Sequence, residues 1–127
     1  MFELKILTHF AAAHQLTMVA KQCENLHGHN WKIEVCVAGK KLNDAGVLID
    51  FGELKTHIAE IIDELDHKFL NELACFDGAP SSENIAVYIA EQLQQKLDGT
   101  GIRVSRITTW ESENAAAIYT PDGALPT

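Results

Sequence analysis

Cys23-Glu24-Asn25-Leu26-His27-Gly28-His29-Asn30-Trp31 sets one thiol and two imidazoles within seven positions. His27 and His29 are two apart. In a strand that spacing turns both side chains to one face, roughly 7 Å apart at the backbone. The same parity runs on through Trp31, Ile33, Val35 and Val37, while Lys32, Glu34 and Cys36 take the other face. The stretch therefore reads as the start of a half-buried strand whose inward row begins with two histidines.

Upstream, Phe2, Leu4, Ile6, Phe10 and Ala12 alternate in the same way, and His14 ends their row; His9 has the opposite parity. Residues 15–26 are mixed and polar and read as a long loop. Two such strands form an antiparallel pair, and its closed end brings His14, His27 and His29 together on the core side, provided that no β-bulge breaks either parity. Downstream, Asp50-Phe51-Gly52-Glu53 has the form of a capping box. Leu54, Ile58, Ile61, Ile62 and Leu65 follow at helical spacing, and Asp66 to Asn71 closes that helix. Ser81 or Ser82 caps a second helix with Ile85, Tyr88, Ile89, Leu93 and Leu97 on its apolar face, ended by Gly99 and Gly101. Residues 102–111 and 114–120 read as strands. The order ββααββ predicts one α+β domain over residues 1–127, a four-stranded antiparallel sheet with both helices on one face. Its other face and outer strands then need cover or a partner.

Two histidines and a thiol suit a borderline-soft cation such as zinc. Three histidines leave the fourth zinc position open, as catalytic sites do; Cys23 as a fourth ligand is the rival, structural arrangement. A thiol in a polar loop beside a cation is favoured as thiolate and can serve as nucleophile or as general base. Cys36, in a strand, and Cys75 read as small packing residues. His9 and His57 read as surface or structural groups. Asp66-His67 sets a carboxylate beside an imidazole, but neighbours on a helix point about 100° apart, which leaves their pairing open. Glu111 continues the inward row of Ile107 and Thr109, where a carboxylate is paired or functional and a planar amidine-like ligand group would satisfy both its oxygens; an exposed glutamate at the strand end is the plainer alternative.

The 127 residues, 46% hydrophobic and 22% charged, suit a single domain with a real core. A formal net charge of −8 argues against a nucleic-acid or anionic-membrane binder. No apolar run approaches the ~20 residues of a membrane span. Met1 to Lys5 lacks a basic region with a long apolar run, so no secretory leader is expected. Three widely spaced cysteines fit reduced thiols in a cytoplasmic protein.

Six pieces in this order resemble the 6-pyruvoyl-tetrahydropterin synthase and 6-carboxytetrahydropterin synthase family. They are Phe10-Ala11-Ala12-Ala13-His14, Cys23-x3-His27-Gly28-His29-Asn30, Ile49-Asp50-Phe51, Leu65-Asp66-His67 with Leu70-Asn71, Pro80-Ser81-Ser82-Glu83-Asn84, and Trp110-Glu111-Ser112. The resemblance implies the tunnelling fold, with three sheets joined into a trimeric barrel and two trimers stacked into a homohexamer. It implies zinc on His14, His27 and His29, and Cys23 as proton acceptor assisted by Asp66 and His67. It also implies Glu111 on the 2-amino group and adjacent ring nitrogen of a pterin, with Ser81, Ser82 and Glu83 lining the pocket. Ser81 stands where the family often has Thr and keeps the hydroxyl.

The short Cys-x3-His gap resembles the bacterial, queuosine-pathway branch. That branch implies a zinc-dependent lyase converting 7,8-dihydroneopterin triphosphate to 6-carboxy-5,6,7,8-tetrahydropterin, acetaldehyde and triphosphate. Triphosphate elimination to a 6-pyruvoyl product, and a non-catalytic zinc-stabilised module, are the alternatives.

Overall fold

The computed structural model describes residues 1–15 and 27–122, with the His27 side chain excepted. Strand β1 runs Phe2–His14 and β2 runs His27–Gly39. Helix α1 spans Phe51–Asp63, β3 is the pair Lys68–Phe69, and α2 spans Ser82–Leu97. Strands β4, Arg103–Ser112, and β5, Ala115–Tyr119, close the chain. The sheet order is β3-β1-β2-β4-β5.

β1 and β2 pair antiparallel without a slip from Phe2↔Gly39 to His14↔His27. Unbroken register keeps each inward row continuous, so Ile6, Phe10 and Ala12 share a face with Val35, Trp31 and Ile33. Both helices cover that face. Leu54, Ile58 and Ile61 of α1 and Ile85, Ile89 and Leu93 of α2 are buried against it. Each such side chain contributes about 1.5–3 kcal/mol relative to exposure, which outweighs any cap or surface pair. The opposite face is open: Leu7 is 53% exposed and Ile118 65%.

The caps form as their residue types require. Asp50 Oδ2 accepts from Glu53 N at 3.1 Å, and Ser81 Oγ accepts from Asn84 N at 3.1 Å. Of the two serines, Ser81 is therefore the cap of α2.

The four antiparallel strands are as expected, but a fifth, β3, joins parallel to the outer edge of β1 through Ala12↔Lys68 and Ala13↔Phe69. The sheet is thus mixed rather than purely antiparallel. The cause is local. Helix α1 stops at Asp63, earlier than the apolar stripe suggests, and His67 takes a left-handed φ of 59°. Its N–H then donates to Ala11 O at 2.6 Å, which turns the chain along β1. A two-residue strand carries no readable alternation.

Candidate active site

His14 ends the inward row of β1 and is fully buried. Its Nδ1 lies 2.9 Å from Pro80 O. A carbonyl only accepts, so Nδ1 carries the proton and, in the neutral ring, Nε2 presents a lone pair. Nε2 lies 3.1 Å from Glu111 Oε1, and His29 Nε2 lies 3.4 Å from the same oxygen. A lone pair facing a carboxylate oxygen at that distance needs a proton or a metal cation between them.

The ligand atoms of His14, His29 and Glu111 all lie within 4.8 Å of one another, and nitrogen and oxygen donors of this kind fit zinc. Trp31 floors the group: its ring centroid is 5.0 Å from that of His14 and 5.3 Å from that of His29, edge-on to both. Phe10 stacks on Trp31 at 6.0 Å. Packing of this kind restricts both imidazoles to one orientation.

Glu111 sits at an irregularity of β4. Trp110 pairs with Ala116 and Ser112 with Ala115, which leaves Glu111 as the extra residue of a β-bulge in β4. Bulges re-aim side chains next to sites. The sequence placed Glu111 in an inward row by counting from Thr109; the bulge begins only after Trp110, so the count still held at Glu111.

Zinc was expected on His14, His27 and His29. Among the described residues the third member of the cluster is Glu111. His27 is the register partner of His14, and its side chain lies outside the described residues. Cys23 lies outside them as well.

Asp66 and His67 do pair: His67 Nδ1 is 2.9 Å from Asp66 Oδ2. The left-handed φ at His67 removes the helical divergence that left this open. Asp66 Oδ1 accepts from Ala11 N at 2.9 Å. That backbone donor above all holds the Asp66 carboxyl below the usual carboxylate range; burial opposes it, and the hydrogen bonds and charge of His67 add to the lowering. The His67 side chain is 82% exposed. Ala11 lies three residues before His14, about 10 Å along the strand.

A cavity of about 400 Å³ opens beside Glu111, lined also by Ser82, Glu83 and the β5 residues Ala115 to Ile118. Ser81 spends its oxygen lone pair on the α2 cap, while the carbonyl of Ser82 accepts from Thr109 Oγ1 at 2.7 Å. Of Ser81, Ser82, Glu83 and Glu111, the last three line this cavity and Ser81 does not.

Two contributors stand in the motif pieces quoted above, but nothing in the sequence assigned either a role at the site. One is the carbonyl of Pro80. The other is Asn71, whose Oδ1 accepts from Gln15 N at 2.8 Å and whose Nδ2 donates to Gln15 O at 2.6 Å. Among the described residues no helix is long and apolar enough to cross a membrane.

The family model described as 6-pyruvoyl tetrahydropterin synthase matches residues 3–122. An Archaeoglobus fulgidus protein, provisionally named a 6-carboxy-5,6,7,8-tetrahydropterin synthase, is 38% identical over 86% of this chain and 87% of its own. A Pyrococcus furiosus dihydroneopterin monophosphate aldolase is 35% identical over 80% and 82%. The Synechocystis 6-carboxy-5,6,7,8-tetrahydropterin synthase is 36% identical over 68% and 70%. In fold, the chain superposes on the Caenorhabditis elegans 6-pyruvoyl tetrahydropterin synthase with a TM-score of 0.82 at 23% identity, over 95% of this chain and 96% of that one.

Proposed function

The chain belongs to the 6-pyruvoyl tetrahydropterin synthase family, and from that premise we propose that it is a 6-carboxy-5,6,7,8-tetrahydropterin synthase. It converts 7,8-dihydroneopterin triphosphate and one water to 6-carboxytetrahydropterin, acetaldehyde and triphosphate, in the cytoplasm, as a step of queuosine biosynthesis. The observation that carries this reading is the meeting of His14, His29 and Glu111 beside a cavity of about 400 Å³. The short Cys23-x3-His27 gap and relatives named for this reaction support it.

In this reading His14, His27 and His29 hold one zinc ion. Zinc, when bound, supplies a Lewis acid that acidifies the hydroxyls and adjoining C–H bond of the substrate side chain. Pro80 O keeps the His14 proton on Nδ1, so Nε2 is the donor atom. Cys23, as thiolate, takes and returns protons along the substrate side chain. His67 relays them, its Nδ1 held by the Asp66 carboxylate.

Glu111 grips the 2-amino group and neighbouring ring nitrogen of the pterin with both carboxylate oxygens. Ser82 and Glu83 border the ring at the end of α2, which Ser81 caps. The assembly is a homohexamer, a dimer of trimers, with active sites between subunits. The strands at both sheet edges, β3 and β5, are short and the outer face of the sheet is uncovered, as such an assembly requires.

The aldolase relative favours a second reading, cleavage of a monophosphorylated dihydroneopterin. Incubation with each substrate, with products read by mass, separates the readings. Acetaldehyde and the 6-carboxy product are expected from the triphosphate. Triphosphate release without acetaldehyde assigns the 6-pyruvoyl reaction. Consumption of the monophosphate alone assigns the aldolase. Failure to turn over either substrate, with zinc retained, assigns the binding module.

A further inference from the structure

The segment from Asp66 to Asn71 runs along the outer edge of β1 and grips it at every step. Asp66 Oδ1 takes the N–H of Ala11, and the N–H of His67 reaches Ala11 O. Lys68 and Phe69 pair with Ala12 and Ala13. The next residue of β1 is His14, whose other flank pairs with His27. Beyond it the backbone of β3 has turned away into a 3₁₀ turn over Leu70–Glu72. There the side chain of Asn71 takes the place of a strand. Its carboxamide has the donor and acceptor of a peptide group, and both meet the backbone of Gln15.

β3 thus holds the backbone just before His14 and Asn71 holds it just after. An imidazole fixed at Nδ1 by Pro80 O still swings if its Cα moves. A shift of the strand end moves Nε2 relative to Glu111 and His29.

We propose that Asn71 is a positioning residue, whose carboxamide extends β3 as a strand mimic and holds His14 Nε2 and the Asp66–His67 pair in one rigid frame. The proposal rests, for its metal consequence, on the zinc reading above. Side chains that support a metal ligand without touching the metal typically matter about 10–100-fold in affinity. Asn71 acts one residue further out, so its loss weakens zinc binding by about tenfold, the low end of that range.

A control of the same chemistry exists elsewhere in the chain. Gln94 makes a similar two-bond clamp, accepting from Val104 N at 2.9 Å and donating to Ile102 O at 3.3 Å. It lies in α2, at the start of β4 and away from Glu111 at its end. The experiment compares Asn71→Ala and Gln94→Ala in the full chain by three measurements. They are the melting temperature, zinc affinity by chelator competition, and, in metal-free protein, the ¹⁵N–¹H signal of the His14 ring Nδ1–H.

A clamp that only stabilises lowers the melting temperature alike in both variants and changes nothing else. The expected result is that Asn71→Ala alone also weakens zinc about tenfold and broadens or loses the His14 ring signal. An unchanged His14 signal in a folded Asn71→Ala protein overturns the proposal, whether or not zinc binds. A wild-type protein that binds no zinc overturns the metal reading instead, and the ring signal still decides the role of Asn71. If Asn71→Ala does not fold, Asn71→Asp serves: it keeps the acceptor for Gln15 N and loses the donor to Gln15 O. The same three measurements then decide.

Discussion

At the scale of single residues, His29, Cys23 and Glu111 separate by what the loss of each should do to zinc and to turnover. His29→Ala is expected to lose stoichiometric zinc and activity together, measured by metal analysis of the purified protein; full occupancy would remove His29 from the ligand set. Cys23→Ala should keep zinc and lose turnover by roughly 10²–10⁴-fold, the span for one acid–base group. Loss of zinc in that variant would make the thiol a ligand and favour the structural-site reading. Glu111 lies within 3.4 Å of both imidazole nitrogens, so it has two candidate jobs. Glu111→Gln keeps the shape and removes the charge; as a ring anchor it should raise KM and retain zinc, whereas zinc loss would make it a ligand.

Asp66 gives a pH signature. Its folded pKa is depressed, so its contribution to stability is full above the unfolded value of about 4 and is lost as pH falls through the folded one. Asp66→Asn should therefore flatten the loss of stability on acidification below about pH 4, read by thermal melts across that range.

At the scale of elements, the starts of both helices obeyed their local signals, α1 ended at Asp63 short of its stripe, and β3 had no signal to obey. Asp50 and Ser81 are caps because their short oxygens reach an N–H three residues on, and no distant contact is needed. Asp50→Ala should cost about 1 kcal/mol of folding stability, measured by denaturant unfolding, with KM unchanged. A drop in substrate affinity of the same size would show that the α1 terminus is coupled to the pocket.

The bulge at Glu111 and the strand β3 are different in kind. Each exists because a backbone elsewhere offers pairing groups: Ala115 and Ala116 for the bulge, and Ala12 and Ala13 for β3. Backbone donors and acceptors are the same in every non-proline residue, so the residue types at 68–69 gave no warning. The left-handed turn at His67, which makes the Asp66–His67 pair possible, belongs with them.

At the scale of the whole molecule, the sheet is half covered. The helices fill one face, while Leu7 and Ile118 stand on the other at 53% and 65% exposure. A monomer that leaves such groups and two short edges uncovered gains by pairing them with copies of itself. Sedimentation velocity at micromolar concentration should give a mass near six chains of 14.0 kDa each; a stable, active monomer would refute the assembly. Activity lost on dilution together with the assembly would further support sites between subunits.

The alternation of β1 and β2 and the stripes of the two helices were legible because burial on one face imposes a period, and a period is written locally in the chain. With the hairpin register unbroken from Phe2 to His14, that local pattern also carried His14 to the same end of the sheet as His29 and, by counting, Glu111 to the inward row. Tertiary structure alone decided how these groups are held. The carbonyl of Pro80 fixes the tautomer of His14, the N–H of Ala11 depresses the pKa of Asp66, and the carboxamide of Asn71 ends the strand beside Gln15. Each of these joins residues 55 or more positions apart through a backbone group. Backbone groups have no residue identity, so which one a side chain meets is set by the packing of the chain.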